Sequence, residues 1–330
     1  MGGMSRFIYR ILILSFLLGL VGAGVFAWGY GQYVKPGPAQ AESTVIIPRG
    51  RGVEGIANAL EQAGIIRDAL VFRLGVRLGG TDKSLRAGEY VFPALISPQQ
   101  AAAILISGKT VVRRLTVAEG LTTRQVLEQI LATDGLQGDI IAAYGEGALL
   151  PETYHFSFGD RRDELAERMA ASMSKLVAKL WQSRASGLPL HSPDEALVLA
   201  SIVEKETAIA AERPRIAGVF INRLEKNMRL QSDPTVAYGL TLGGEPLSRP
   251  LNRADLKRPT PYNTYMINGL PPGPIANPGA AAIAAVLNPE KTTDIYFVAD
   301  GGGGHVFSRT LKEHNRNVAK WRKIRDSQAQ

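Results

Sequence analysis

One glutamate occupies a position where its carboxyl group could act as a general acid. A helix is predicted to start at Ser192, Pro193 and Glu195. Serine can cap the N-terminus of a helix, proline suits the first helical position, and a glutamate three residues after the cap completes a capping box. In the helix that follows, Glu206 falls at spacings of three and four within one apolar stripe. The other members of this stripe are Leu199, Ile202, Val203, Ile209 and Ala210. Apolar surroundings disfavour a charged carboxylate, so the pattern predicts a raised pKa for Glu206.

The chemistry that this position indicates is proton transfer. A carboxyl group that stays protonated near neutral pH can donate a proton to a leaving group. A structural alternative stays open, in which Glu206 lies at the edge of the core and pairs with Arg223 or Lys205. Glu204 is expected on another face of the same helix, in less apolar surroundings.

Two other patterns in the sequence could carry chemistry. Ser201 and Lys205 are four apart on the predicted helix and could form a serine–lysine nucleophile pair. No oxyanion-hole signature accompanies them, so a structural role is favoured. No metal-ligand spacing connects the four histidines, His155, His191, His305 and His314. We therefore predict neither a metal nor another cofactor.

Helical and strand periodicities alternate along the chain and predict an α+β fold. Helices are predicted at residues 53–64, 69–78, 97–108, 122–131, 163–181, 192–210, 215–224, 280–287 and 311–325. Strands are predicted at residues 44–48, 86–92, 111–117, 294–299 and 305–307, the last two as a hairpin. Residues 231–278 are rich in proline, glycine, asparagine and tyrosine, which predicts a long ordered loop that lines a binding cleft.

An apolar run precedes the folded part. Residues 11–28 contain no charge and no proline, and as a helix they would extend about 27 Å, enough to cross a bilayer. The positive charges of Arg6 and Arg10 before the run, with Trp28 at its other end, predict a cytoplasmic N-terminus, with the bulk of the chain outside. Ala39-Gln40-Ala41 could be a signal-peptide cleavage site, but the long apolar run favours an uncleaved anchor in the cytoplasmic (inner) membrane.

These signals predict a domain layout. A cytoplasmic tail is expected at 1–6, a single transmembrane signal anchor at 7–28 and a linker at 29–43. A small α+β module is expected at 44–110 and a larger mixed α+β domain at 111–330.

Composition narrows the function classes. The 330 residues include no cysteine, which excludes disulfide frameworks, thiol nucleophiles and zinc–thiolate sites. A net charge of +8 favours anionic partners, which outside a cytoplasmic membrane are cell-wall polymers or lipid headgroups. The sequence has no basic segment interleaved with aromatic residues, so nucleic acid is not an expected partner.

Several segments in the second half of the chain resemble the endolytic murein transglycosylase family of the YceG-like type. The resemblance covers residues 200–207 (ASIVEKET), 219–224 (VFINRL), 228–236 (MRLQSDPTV), 238–239 (YG), 261–265 (PYNTY), 269–275 (GLPPGPI), 277–279 (NPG) and 296–300 (YFVAD), followed by Gly304, His305 and Phe307. So many segments in one order, behind a membrane anchor, form a specific signal.

This resemblance implies a function and a fold. It implies that Glu206, the second glutamate of Glu204-Lys205-Glu206, is the catalytic acid, in agreement with the helical stripe. The expected reaction is cleavage of the bond between N-acetylmuramic acid and N-acetylglucosamine in nascent peptidoglycan. It leaves 1,6-anhydro ends, terminates glycan elongation and places the enzyme beside peptidoglycan synthases. The resemblance also implies a LysM-like peptidoglycan-binding module at 44–110 and a YceG-like catalytic domain at 111–330.

The remaining candidate site residues are expected to bind and position sugars. They are Asn222, Arg223, Gln231, Asp233, Tyr238, Asn263 and Tyr265. Tyr238 and Tyr265 could stack on pyranose faces, while hydrogen bonds that fix loops are an equal alternative for each residue. Two rival functions stay open. The first is a lysozyme-like muramidase in which Asp233 is the second carboxylate. The second is a catalytically silent, membrane-tethered scaffold that binds peptidoglycan.

Overall fold

Helices and short strands alternate along residues 2–328, the part of the chain that the computed structural model describes; side chains are described for residues 7–327. The helices are α1 (Gly2–Val34), α2 (Val53–Gln62), α3 (Ala69–Leu78), α4 (Pro98–Ser107), α5 (Thr123–Leu131), α6 (Arg162–Gln182), α7 (Pro193–Glu206), α8 (Arg213–Glu225), α9 (Asp233–Thr241), α10 (Ala280–Leu287) and α11 (Leu311–Gln328). The strands are β1 (Ser43–Ile47), β2 (Gly88–Phe92), β3 (Arg113–Thr116), β4 (Thr153–Phe156), β5 (Tyr296–Ala299) and β6 (His305–Ser308). The predicted mixed α+β class is confirmed.

The chain divides into two units. Unit 1 extends to Arg113 and includes His155–Asp160. Unit 2 contains Arg114–Tyr154 and continues from Arg161. Within residues 2–328 the strands form three two-stranded sheets, which pair β1 with β2, β3 with β4 and β5 with β6.

Unit 1 is built on the antiparallel pair of β1 and β2, in which Val45 lies opposite Tyr90. One face of this ribbon and the inner faces of α2, α3 and α4 enclose an apolar core. Its largest fully buried side chains include Tyr90, Phe72, Phe92, Leu60 and Leu105. The helix starts follow from local chemistry: Ser97 forms a capping box with Gln100 at α4, and Asp68 caps α3.

Helix α1 is the apolar segment of the chain. Phe7–Val34 is long and apolar enough to cross a membrane, and none of its most apolar window is buried against the protein. This fits a single-pass anchor. The helix continues to Val34, so residues 29–34, which the sequence assigned to the linker, are helical. The predicted cytoplasmic tail, residues 1–6, lies outside the residues whose side chains the structure describes.

Unit 2 has its core between α6, α7, α8 and α10. Buried side chains from these helices include Met173, Leu199, Ile202, Phe220 and Ile283. The antiparallel hairpin of β5 and β6, predicted from the sequence, contributes Phe297 and Phe307 to the edge of this core. Phe297 meets Phe220 edge to face, with ring centroids 5.7 Å apart.

Two helix predictions need correction. Helix α7 ends at Glu206 rather than at residues 209–210, because Thr207 is extended and its hydroxyl accepts a hydrogen bond from the Ile209 N–H at 3.0 Å. Ile209 is consequently 38% exposed and lies outside the apolar stripe. The segment predicted as one long loop contains α9, whose first residues are Asp233 and a helix-starting proline. Strand β4 is absent from the predicted elements.

Candidate active site

Glu206 is the last residue of α7, so the main chain of this helix fixes its position. The helix begins at the Ser192 cap, whose hydroxyl accepts from the Glu195 N–H at 3.2 Å. The Glu195 carboxylate accepts from the His191 N–H, so only half of the predicted capping box forms. The C-terminus of a helix carries partial negative charge, so it disfavours the ionised form of the Glu206 carboxyl group.

Ser232 is the hydrogen-bond partner of Glu206. Its hydroxyl donates to Oε1 of the carboxyl group at 2.5 Å. Ser232 immediately precedes α9 and is buried, and its N–H donates to the Thr264 hydroxyl at 2.9 Å. The main chain of Ser232 is therefore fixed, while its hydroxyl remains directed at the Glu206 carboxyl group.

Burial raises the pKa of Glu206 to about 7. The Ser232 hydrogen bond lowers this pKa, the charge of Asp233 raises it, and His305 and Arg223 lower it. Desolvation is the largest of these effects, as the apolar helix face predicts. The pKa lies where a carboxyl group can both hold and accept a proton at neutral pH.

A cavity of about 390 Å³ opens beside Glu206. Its lining residues are Glu119, Gly120, Glu204, Lys205, Glu206, Thr207, Ala208 and Arg213. Glu206 is partly buried and belongs to the lining of this cavity.

Glu204 lies in a buried ion pair, contrary to the less apolar surroundings expected for it. Its side chain is 4% exposed and pairs with Arg213 at 2.8 Å. Arg213 also contacts Glu119 at 3.0 Å, and the Gly279 N–H donates to Glu204 at 2.9 Å. Burial still raises the pKa of Glu204, because desolvation outweighs these stabilising contacts.

Neither Arg223 nor Lys205, the two cations considered as partners of Glu206, pairs with it. Arg223 donates to the carbonyls of Ile295 and Leu230, at 2.7 and 2.6 Å, instead of pairing with Glu206. Lys205 donates to the Gly120 carbonyl at 3.1 Å. Ser201 is fully buried and donates to the Val198 carbonyl, so it forms no nucleophile pair with Lys205.

Three of the predicted sugar-binding residues lie close to Glu206. The charges of Asp233 and Arg223 act on its carboxyl group, and its own charge acts on Tyr265. The Tyr265 hydroxyl donates to Asp233 Oδ1 at 2.7 Å. Burial raises the pKa of Tyr265, so the hydroxyl keeps its proton at neutral pH.

Asn222 and Asn263 are committed to main-chain contacts. The Asn222 amide donates to the carbonyls of Thr292 and Asp294, and the buried Asn263 amide donates to three carbonyls of residues 255–258. Sugar binding through these amide nitrogens would require those hydrogen bonds to break.

Tyr238 contacts different residues from those that surround Glu206. It lines a different groove, where its hydroxyl donates to Glu146 at 3.3 Å. Its ring meets Tyr262 edge to face, with centroids 4.8 Å apart. Stacking of Tyr238 on a sugar would therefore take place in that groove rather than beside Glu206.

Gln231 occupies a turn that leads into Ser232. Its side chain is exposed, and its backbone is left-handed, with φ of 51°. The Gln231 N–H donates to the Thr264 carbonyl at 3.1 Å, which anchors the main chain of the turn. The exposed side chain can thus meet a ligand while the main chain beside it stays in place.

Sequence reasoning missed side chains that shape the site. Ser232 was recognised only as part of a longer segment, although serine before Asp-Pro is a helix-start signal that marks it as ordered. His305 shares a hydrogen bond between Nδ1 and Glu212 at 2.7 Å, and its N–H donates to the same carboxylate at 2.9 Å. Arg213, which holds Glu204, follows Glu212 directly. Ser232 and His305 are 26 and 93 residues from their partners Glu206 and Glu212, and Arg213 contacts Glu204 from the next helix, so no local pattern could have identified these contacts.

Comparison with known proteins gives a family match. Residues 45–320 match the model of the YceG-like family. A protein of Bacillus subtilis named endolytic murein transglycosylase is 32% identical, over 92% of this chain and 91% of its own length. A protein of the same name from Streptococcus pneumoniae is 33% identical over 94% of this chain, which spans 65% of that longer relative.

A solved structure is similar as well. The crystal structure of a putative yceG-like protein from Listeria monocytogenes superposes with a TM-score of 0.51 at 32% sequence identity. The match covers 84% of this chain and 99% of the Listeria chain.

Proposed function

Because the chain belongs to the YceG-like family, we propose that it is an endolytic lytic transglycosylase of peptidoglycan. It cleaves the bond between N-acetylmuramic acid and N-acetylglucosamine and leaves 1,6-anhydro ends. The observation that carries this proposal is the partly buried Glu206, whose pKa is raised to about 7 at the edge of a cavity. The relatives named endolytic murein transglycosylase support the same reaction.

Glu206 serves in both halves of the reaction. Its protonated carboxyl group donates a proton to the glycosidic oxygen as the bond from that oxygen to C1 of N-acetylmuramic acid breaks. The C6 hydroxyl oxygen of the same sugar then bonds to C1, and its proton passes to the Glu206 carboxylate. The proton is thereby returned to the enzyme and no water is consumed. A single carboxyl group with a pKa near 7 suits both steps.

The neighbours of Glu206 position it and the sugar. Ser232 fixes the carboxyl group through its short hydrogen bond. Asp233 and Tyr265 form a hydrogen-bonded pair that offers polar atoms to sugar hydroxyls. We retain direct sugar contact as the proposed role of Gln231 and Tyr238, with Arg223, Asn222 and Asn263 supporting sugar binding through the main chain that they hold.

The mass of the reaction products tests the proposed function. Purified glycan strands incubated with the full chain in detergent micelles are expected to yield fragments that lack one water relative to hydrolysis products. Fragments with reducing ends would instead support the muramidase alternative, in which Asp233 activates water. Glycan binding without cleavage at any pH would support the scaffold.

The rate of cleavage is expected to depend on the protonation of Glu206. Because the acid must carry a proton before it can donate it, kcat/KM should fall as the pH rises above about 7. Ser232→Ala removes an interaction that lowers the pKa of Glu206, so the alkaline limb of the profile should move to higher pH. Asp233→Asn removes a charge that raises this pKa, so the limb should move to lower pH.

Initial rates measured across a pH series on purified glycan give these profiles. The two variants provide matched controls for each other, since any general loss of activity changes the height of a profile without moving its limb. Shifts of both variants in the same direction would contradict the assignment of the limb to Glu206.

Finer features of the function are also proposed. Residues 44–110 of unit 1 are proposed to form a LysM-like module that binds peptidoglycan, and their α+β content, from β1, β2 and α2 to α4, supports this. Helix α1 is proposed to span the cytoplasmic membrane, with its N-terminus in the cytoplasm and both units outside. This location would let the enzyme cut nascent strands beside peptidoglycan synthases and so terminate glycan elongation.

A further inference from the structure

We propose that unit 1 rests on the outer surface of the membrane that α1 spans, and that it binds lipid headgroups there. The contacting groups are three leucines of α3, the turn leucine Leu95, and the basic side chains of Lys35 and Arg67. This inference rests on the proposed membrane span of α1, and goes beyond it by assigning a lipid-binding face to the folded module.

The end of α1 is fixed to the module rather than joined to it by a free linker. The Tyr33 ring packs against Gly75 of α3 so closely that no space remains for a Cβ at that glycine. The Gly37 N–H donates to the Ile96 carbonyl at 3.0 Å, and the carbonyls of Ile65 and Ile96 fill the space where a side chain at Gly37 would lie. A helix that leaves the bilayer here therefore holds α3 close to the membrane surface.

Helix α3 exposes a row of leucines. Leu70, Leu74 and Leu78 are 52%, 49% and 73% exposed, and their spacing of four places them along one side of the helix. The core face is formed by Ala69, Phe72 and Val76, so the leucines are not needed to hold the module together. We call these three residues the leucine row. An exposed apolar row on a short amphipathic helix is typical of a helix that lies in the membrane interface.

Leu95 adds a fourth exposed leucine beside the end of α1. It is 50% exposed and has a left-handed backbone, with φ of 57°, which is costly for a leucine. Its N–H donates to the Ala39 carbonyl at 2.7 Å, and its carbonyl accepts from Gly37, so the turn adjoins the segment that follows α1. A leucine kept exposed at such a turn indicates an apolar surface outside the protein.

Basic groups border a cavity between α1 and α3. This cavity of about 210 Å³ is lined by Trp28, Gln32, Lys35, Pro36, Gly37, Arg67, Asp68, Val71 and Pro98. Lys35, Arg67 and Asp68 are all exposed, and the Asp68 carboxylate caps α3 by accepting from the N–H groups of Leu70 and Val71. The two cations and one carboxylate leave the lining with an excess of positive charge. Of the two arginines of α3, Arg77 is exposed, whereas Arg73 pairs with Glu54 at 2.9 Å. This balance of charge fits the phosphate of an anionic lipid headgroup.

The occupant that these features favour is the lipid surface rather than a second copy of the chain. Tryptophan is enriched where helices leave the hydrocarbon region, and Trp28 lies in the wall of the same cavity. The leucine row, Leu95 and the basic pair are all connected to the exit of α1 through contacts within unit 1. A bilayer around α1 would therefore meet them without any further partner.

Site-specific fluorescence can test the proposal, because the chain has no cysteine of its own. Full-length Leu74→Cys, Leu95→Cys and Asn58→Cys are each labelled with an environment-sensitive fluorophore and reconstituted into vesicles of phosphatidylethanolamine and phosphatidylglycerol. Part of the lipid carries a nitroxide quencher near the start of its acyl chains. Asn58, exposed on α2, is the matched control, and a label at Val21→Cys in α1 reports membrane insertion.

We expect quenching at positions 74 and 95 to exceed that at position 58 by at least about threefold, since interfacial helices lie about 5–10 Å into the headgroup boundary. Equal quenching at positions 74, 95 and 58, with strong quenching at position 21, would refute the contact of unit 1 with the membrane surface but not the membrane span of α1. Absence of quenching at Val21 would overturn the anchor and this inference together. Neither result would alter the products of glycan cleavage, which test the proposed reaction separately.

Two further arms separate the alternatives. A disulfide-linked dimer of unlabelled Leu74→Cys, combined with weak quenching, would assign the leucine row to a second copy and overturn the proposal. Adding Lys35→Gln and Arg67→Gln to labelled Leu74→Cys should lower quenching in vesicles with anionic lipid and leave it unchanged in phosphatidylcholine alone. Unchanged quenching in the anionic vesicles would refute the headgroup contacts of Lys35 and Arg67.

Discussion

Glu206→Gln is expected to lower the rate of glycan cleavage by about 10²–10⁴-fold, the usual contribution of a positioned acid or base. Glutamine has nearly the same shape and can still accept the Ser232 hydrogen bond, but it has no proton that it can transfer to the glycosidic oxygen. The loss should therefore appear in kcat, because the variant keeps the cavity and its lining. Initial rates on purified glycan strands measure it.

Glu225→Gln is the matched control for this variant. Glu225 is the exposed last residue of α8, so the same chemical change there removes a charge without touching the cavity. It should cleave glycan at the rate of the unchanged chain. If Glu206→Gln kept more than about a tenth of the activity, a role as general acid would be refuted.

The fold of Glu206→Gln should be at least as stable as that of the unchanged chain. Burial raises the folded-state pKa of Glu206 to about 7, above the value of about 4.3 expected in the unfolded chain. A raised pKa contributes stability that is present below the unfolded pKa and lost as the pH rises through the folded pKa. Glutamine does not titrate, so between about pH 4 and 7 the variant should gain stability relative to the unchanged chain. Thermal unfolding at several pH values would measure this.

The sequence predicted the raised pKa of Glu206, although only part of its cause is local. Leu199, Ile202 and Val203 do form the buried stripe, because helical periodicity depends on neighbouring residues alone. Ile209 lies outside the helix, because the extended Thr207 ends α7 and its hydroxyl accepts from the Ile209 N–H. The helical spacing of apolar residues nevertheless continues past this point in the sequence. Ser232 comes from another segment, which no periodicity could bring to the carboxyl group.

Glu204 shows why the surroundings of a helix face are harder to predict than the helix. Its neighbours on α7 suggested a more polar face, and its exposure depends instead on Arg213 and Gly279 from elsewhere in unit 2. Helix α9 was missed for a similar reason. Its glycine and threonine content resembles that of the loop around it, and only Asp233-Pro234 marks its start.

Arg213→Met is expected to destabilise unit 2 by about 3–5 kcal/mol, because it removes one partner of a buried ion pair. The side chains of Arg213 and Glu204 are 9% and 4% exposed, so the remaining carboxylate would lie uncompensated in the protein. Trp181 packs against the core of this unit, and its fluorescence during urea unfolding can report the loss. Arg124→Met is the control, because the pairs of Arg124 with Glu128 and Glu245 are exposed to solvent, which screens them, so their loss should leave the stability nearly unchanged.

A second substitution identifies the cause of the loss. Adding Glu204→Gln to Arg213→Met removes the uncompensated charge, so the double variant should recover at least about half of the lost stability. A loss below about 1 kcal/mol for Arg213→Met, or no recovery in the double variant, would show that the pair does not hold the end of α7. Because Glu206 is two residues after Glu204 on that helix end and lines the same cavity, losing the pair is expected to disturb the position of the proposed acid as well as the stability of unit 2.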